Sequence, residues 1–114
     1  MSTLRRLVFW GPAYREMVAL PPGAQSRAGF QLKQIQQGDE PEDWKPMKTI
    51  GPGVNEIRIR DQTGAYRVIY IAKFEEAVYV LRCFEKKSQK TSRLDLEIAT
   101  ARYRELVRRR IGRG

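Results

Sequence analysis

Positively charged side chains gather on three successive segments that each have the length and composition of a short β-strand. A half-buried strand needs apolar residues on one face and mixed polar residues on the other. Formation of a sheet does not require positively charged residues on several adjacent strands. Like charges on adjacent strands repel, so an anionic ligand is the natural reason to keep them, and nucleic-acid phosphate is the leading candidate. The cations are Arg58 and Arg60 on the first segment, Arg67 on the second, and Lys86, Lys87 and Lys90 at and beyond the end of the third.

Arginine and lysine together suit the cleavage of RNA by its own 2′-hydroxyl group. That reaction needs the hydroxyl deprotonated, the negative charge on the pentavalent phosphorus stabilised, and the leaving 5′-oxygen protonated. Guanidinium groups bind two phosphate oxygens at once, and fixed cations stabilise charge that develops in a transition state. A lysine among other cations has its ammonium form disfavoured, so its pKa should fall and it could exchange protons.

The composition agrees with an anionic partner and excludes several classes of site. The chain has 114 residues, which fits a single domain over residues 1–114, and 22 Lys and Arg against 13 Asp and Glu give a formal net charge of +9. The absence of histidine excludes the usual zinc sites and every nucleophile that depends on histidine. The single Cys83 suits a reducing cytoplasm, and no apolar run is long enough to cross a membrane.

Hydrophobic patterning predicts four strands and three helices in the order β-αα-βββ-α. Pro21 and Pro22 divide the first helical region into a hairpin, Gly38 ends it, and Ser92 is a predicted N-cap of the C-terminal helix. This order predicts an α+β fold, in which an N-terminal helical hairpin and a C-terminal helix lie on one face of an antiparallel sheet. The predicted strands are residues 7–10, 54–60, 66–72 and 78–84.

Parts of the chain resemble the RelE/HigB toxin superfamily, and more narrowly its phage-derived branch. The most specific elements are Tyr-Arg-Val-Ile-Tyr at residues 66–70 and Phe-Glu-Lys-Lys at residues 84–87, at a separation typical of that family. The resemblance implies a small RelE-like domain and a toxin of a type II toxin–antitoxin system, which cleaves messenger RNA on the ribosome without metal or cofactor. It also implies a cognate antitoxin, often a helix-turn-helix protein of the HigA kind, in a hetero-oligomeric complex. The matching stretches are residues 51–61, 64–70 and 80–91.

The same resemblance assigns roles to individual cations. Arg67 would clamp the scissile phosphate, and Lys86 and Lys87 would bind phosphate or donate a proton, so these three are the predicted catalytic residues. We expect Arg67→Ala to relieve growth arrest by the protein while leaving the fold intact. Four further residues are predicted to contact RNA: Arg58, Arg60, Arg82 and Lys90.

Each assignment has an alternative. Arg67 could be a surface arginine paired with Glu56 or Asp61, and the lysine pair could be a solvated strand end. Arg82 stands near the place where many relatives have histidine, and no tyrosine follows shortly after Lys87 as in some of them. At the level of function, the alternatives are a non-catalytic relative that acts by binding a protein target, and a nucleic-acid-binding protein without catalysis.

Overall fold

The computed structural model describes residues 4–112, which form one five-stranded sheet and three helices. The elements in chain order are β1 (Arg6–Phe9), α1 (Ala13–Val18), α2 (Pro22–Gln36), β2 (Trp44–Pro46), β3 (Val54–Asp61), β4 (Gly64–Ile71), β5 (Ala77–Glu85) and α3 (Arg93–Gly112). The strands lie side by side in the order β1-β5-β4-β3-β2. The central strand is therefore β4, as expected for a segment that is apolar on both faces.

Two hydrophobic cores lie on opposite faces of the sheet, because side chains alternate along each strand. On one face, α1 and α2 cover Ile57 and Val68. On the other face, Ala99 and Leu106 of α3 pack against Ile69. The prediction that all helices lie on one face is therefore wrong, and the unbroken run of buried residues in β4 shows the physical reason, since both of its faces need cover.

The α+β class, the helical hairpin and the C-terminal helix are confirmed, but the sheet is mixed rather than wholly antiparallel. β1 runs parallel to β5, with Leu7 opposite Val78. These two strands are far apart in the chain, so no local pattern fixes their relative direction. The unpredicted β2 has three residues and contains Pro46, which is tolerated because β2 is an edge strand.

The start of α3 is fixed by the predicted cap. The backbone N–H of Asp95 donates to the Ser92 hydroxyl oxygen at 3.1 Å, and that hydroxyl donates to the Asp95 carboxylate at 2.6 Å. A side chain before the helix thus satisfies an N–H group that has no partner within the helix.

In the part of the chain that is described, neither α3 nor a shorter helix has the length and apolar character needed to span a bilayer.

Candidate phosphate-binding site

A pocket of about 240 Å³ opens on the face of the sheet against which α3 packs, at a place that no residue of α3 lines. Five cations and two carboxylates line it, so its charge is positive. We call it the cationic pocket. Its lining residues are Asp43, Lys45, Glu56, Arg58, Arg60, Arg67, Lys86, Gln89 and Thr91.

Strand geometry brings the cations of the pocket together. Residues two apart on a strand point to the same face, so Glu56, Arg58 and Arg60 project together from β3. The register of the β3–β4 hairpin places Arg67 directly opposite Arg58. Lys86 follows the last residue of β5, and its backbone N–H still pairs with a carbonyl of β4 at 2.8 Å. Four of the seven predicted site residues therefore line one pocket.

Arg67 lies at the wall of the pocket in a buried ion pair with Glu56. The Nε atom of Arg67 lies 3.3 Å from Oε1 of Glu56, and only 5% of Arg67 and 1% of Glu56 are exposed. The Thr91 hydroxyl donates to Oε2 of the same carboxylate at 2.6 Å. Burial lowers the pKa of Arg67, and the charge of Glu56 opposes this shift. The pairing with Glu56 that the sequence left open as an alternative therefore exists, but it is buried rather than at the surface, and the phosphate clamp at Arg67 stays a prediction.

Of the predicted catalytic lysines Lys86 and Lys87, Lys86 lines the cationic pocket. Burial lowers its pKa first, and the positive charges of Arg67, Arg60 and Arg58 lower it further, against the opposing effect of Glu56. This direction agrees with the expectation that a lysine among cations loses its proton more readily. The ammonium group of Lys86 can therefore donate a proton more easily than an ordinary surface lysine.

The other predicted residues lie in a neighbouring groove of about 360 Å³. Arg82, Lys87 and Lys90 line this groove, and Lys86 lines both the groove and the cationic pocket. Both consecutive lysines therefore line the groove, and only Lys86 also lines the cationic pocket. The structure does not bring Lys87 or Lys90 into the cationic pocket.

Arg82 takes part in a network of ion pairs and hydrogen bonds. Its Nε and Nη2 atoms donate to Oδ1 of Asp95 at 3.1 and 2.7 Å, and Nη1 forms a hydrogen bond with Glu16. Arg102 donates to both oxygens of Glu16 at 2.8 Å. This network ties α1, β5 and α3 together. Because two carboxylates already hold its guanidinium, the assignment of Arg82 as a phosphate ligand is not supported.

Sequence reasoning did not place Lys45 or Asp43 in the pocket. Lys45 lies on the short β2, opposite Glu56, and the carboxylate of Asp43 lies 3.9 Å from Nη1 of Arg58. Both are placed by the pairing of β2 with β3, which a three-residue strand does not signal. Glu56 did have a visible signal, because it alternates with Arg58 and Arg60 on the same strand face.

The pocket offers N–H groups in the planar arrangement that matches phosphate oxygens. Arg60 is exposed and Arg58 and Lys86 are half-buried, so all three are open to a ligand. Among residues 4–112, no group of three or more acidic or cysteine side chains is arranged to hold a metal ion.

Comparisons with known proteins agree with the observed architecture. The family model described as phage derived protein Gp49-like matches residues 15–104. A solved structure of an arginine-to-alanine double mutant of the E. coli toxin RelE, in the free state, superposes with a TM-score of 0.62 at 15% identity, covering 90% of this chain and 98% of that chain. No match was found among curated proteins. The chain therefore belongs to the phage-derived Gp49-like family and has the fold of the RelE toxin, in agreement with the resemblance seen in the sequence.

Proposed function

We propose that this protein is the toxin of a type II toxin–antitoxin system and that it cleaves messenger RNA. The observation that carries the proposal is the cationic pocket, in which Arg58, Arg60 and Lys86 surround an open space beside Arg67. These cations repel one another across neighbouring strands, and a phosphate group would relieve the repulsion. Family membership and the RelE fold support the assignment as a toxin.

The proposed reaction is attack of the 2′-hydroxyl oxygen on the adjacent phosphorus, which forms a 2′,3′-cyclic phosphate as the bond to the 5′-oxygen breaks. The proton of the 2′-hydroxyl group passes to solvent water. Arg58 and Arg60 bind the non-bridging oxygens, whose negative charge increases in the transition state. Arg67 is fixed by Glu56 and adds positive charge at the wall of the pocket. Lys86 protonates the leaving 5′-oxygen, a role that its lowered pKa suits. The reaction as written uses no cofactor.

The proposal implies two partners in the cytoplasm. The first is the ribosome, which presents messenger RNA to the pocket as an extended single strand. The second is an antitoxin that neutralises the protein in a complex. The net charge of +9 favours a partner whose contact surface is rich in carboxylates, because such complementarity accelerates association.

Brief induction in bacteria followed by primer extension on cellular messages tests the proposal. We expect growth arrest and cuts inside translated codons. The variants Arg60→Ala and Lys86→Ala should reduce cleavage about 10²- to 10³-fold, the usual effect of removing one group that stabilises transition-state charge. Lys33→Ala and Arg93→Ala are matched controls, because each removes one exposed positive charge outside the pocket.

The outcomes separate the candidate functions. Growth arrest with intact messages would contradict cleavage and favour a toxin that acts by binding a protein. Normal growth with intact messages would contradict the assignment as a toxin. Cleavage that the two pocket variants leave unchanged would place the active site elsewhere.

A further inference from the structure

We propose that the groove between α2 and β3 binds the nucleobase next to the phosphate held in the cationic pocket, and that Phe30 is its stacking surface. The groove has a volume of about 390 Å³, and we call it the base groove. The inference rests on the proposed function, because it concerns the same RNA strand.

Phe30 is exposed and belongs to neither of the two hydrophobic cores. The side chain is 58% exposed, whereas phenylalanine is normally among the most buried residues. α2 meets the sheet through other positions, among them Ala24, Ala28 and Leu32, all of which are buried. An exposed aromatic ring beside a positively charged groove is the arrangement with which proteins stack the bases of single-stranded nucleic acids.

The base groove adjoins the cationic pocket directly. Arg58, Arg60 and Asp43 line both. A strand whose phosphate contacts the two arginines can therefore extend into the base groove, which Phe30 also lines.

The edge of the base groove carries exposed carboxylates that can accept hydrogen bonds. The backbone N–H of Glu42 donates to Oε1 of the buried Gln31 at 2.7 Å, which ties the loop before β2 to α2. The exposed carboxylates of Glu42 and Asp43 lie in the lining of the groove. Carboxylates accept hydrogen bonds from the exocyclic amino groups of adenine, guanine and cytosine, whereas uracil can donate only through its ring N3–H. The groove should therefore favour a base that carries an amino group.

Isolated exposed apolar residues are common on protein surfaces, so the location of Phe30 matters more than its exposure. Tyr14, Val18, Leu94 and Ile111 are also exposed, but none of them lines the base groove. Ile111 lies near the end of α3, which packs on the opposite face of the sheet from α2. Ile111→Ala is therefore a matched control for the loss of an exposed apolar side chain.

Two uncleavable probes separate base binding from phosphate binding. The first is a fluorescent pentamer of deoxycytidine, which lacks 2′-hydroxyl groups, and the second has the same phosphates but abasic sites in place of the bases. Fluorescence anisotropy gives the dissociation constant of each. We expect the first probe to bind at least about fivefold more tightly, the lower end of the contribution of one stacked base.

Variants of the protein then show which side chain causes the difference between the two dissociation constants. Phe30→Ala should bring the two dissociation constants together without changing that of the abasic probe, and Phe30→Tyr, which keeps the ring, should preserve the difference. Lys86→Ala should weaken both probes equally. Ile111→Ala should change neither. A pentamer of deoxyuridine should bind more weakly than the deoxycytidine pentamer, and Glu42→Ala should narrow that gap.

Failure of this inference differs from failure of the proposed function. If the wild-type protein binds both probes equally, or if Phe30→Ala keeps the full difference, the base groove is overturned while the phosphate site stands. If the protein binds neither probe, or if Lys86→Ala leaves the affinity for both probes unchanged, the proposals of the phosphate site and of the base groove are both overturned. Melting curves of all variants confirm that each is folded.

Discussion

The Nε atom of Arg67 lies 3.3 Å from Oε1 of Glu56, and both side chains are almost completely buried at the cationic pocket. Either charge alone would be strongly disfavoured in such a place. Arg67 also lies directly opposite Arg58 on the neighbouring strand, a pairing of like charges that Glu56 helps to offset. The ion pair therefore links the stability of the sheet to the positive charge of the pocket.

Arg67→Ala should destabilise the protein as well as impair cleavage. Removal of the arginine leaves the carboxylate of Glu56 buried with the Thr91 hydroxyl as its hydrogen-bond donor. Breaking a buried pair in this way costs about 3–5 kcal/mol of unfolding free energy. Denaturant unfolding of the purified variant measures the loss. This revises the sequence-based expectation that Arg67→Ala leaves the fold intact.

The exposed Arg60 provides the comparison for that experiment. Arg60→Ala should change the unfolding free energy by about 0.5 kcal/mol or less, because an exposed side chain leaves no buried partner. The double variant Glu56→Leu/Arg67→Met should recover much of the stability that Arg67→Ala loses, since apolar residues often replace buried ion pairs without net cost. An Arg67→Ala variant as stable as wild type would show that Glu56 needs no arginine.

The sequence predicted most of the fold because its patterns are local. Proline and glycine mark the ends of the helical hairpin, alternation marks β3, and Ser92 caps α3. The parallel pairing of β1 with β5 and the short β2 depend on contacts between distant segments. A local pattern holds no information about either.

Some residues of the candidate site are likewise placed by local patterns, and others only by contacts between distant segments. Alternation and register are local properties, so Arg58, Arg60 and Arg67 could be predicted to lie together. The separation of Lys86 from Lys87 depends on where β5 ends, which sequence patterns locate only to within a few residues. The carboxylates that hold Arg82 come from α1 and α3, and only the folded chain brings them there.

Glu16→Gln should lower the unfolding free energy by about 1.5–3 kcal/mol, the usual contribution of hydrogen bonds to charged groups. Glu16 accepts from Arg102, Arg82 and the backbone N–H of Cys83. Arg82→Ala should produce a similar loss, and neither variant should change affinity for the abasic probe. An affinity loss with unchanged stability in Arg82→Ala would restore the predicted phosphate contact.

The carboxylate of Glu16 should make the unfolding free energy depend on pH. Burial alone would raise the pKa of Glu16, but hydrogen bonds and charges from Arg102, Cys83 N–H and Arg82 lower it below its ordinary value of 4.5. A lowered pKa in the folded state means that the stabilisation is present above pH 4.5 and is lost as the pH falls further. Unfolding free energies measured from pH 6 downwards should therefore fall less steeply in Glu16→Gln than in wild type.

The pair between Glu76 and Arg110 should contribute a smaller acid dependence. Hydrogen bonds from Arg110, at 2.6 and 3.0 Å, are the main reason that the pKa of Glu76 falls to about 2. The stabilisation is complete above the ordinary value of 4.5 and disappears as the pH falls towards 2. Both side chains are more than one-third exposed, so the contribution is about 1 kcal/mol or less. Adding salt should shrink the difference between wild type and Glu76→Gln, and a salt-independent difference would contradict a solvent-screened pair.

Lys86 should set the alkaline limit of RNA cleavage. As the proposed proton donor it must carry its proton, so cleavage should decline as the pH rises through its lowered pKa. Arg60→Gln removes one of the charges that lower this pKa, so the decline should move to higher pH, in addition to any general loss of rate. Single-turnover cleavage of ribosome-bound message across a pH series measures both effects, with Lys33→Ala as the control that should leave the profile unchanged. If Arg60→Gln reduced the rate by the same factor at every pH, the alkaline limit would belong to another group, and Lys86 would be a phosphate ligand without a role in proton transfer.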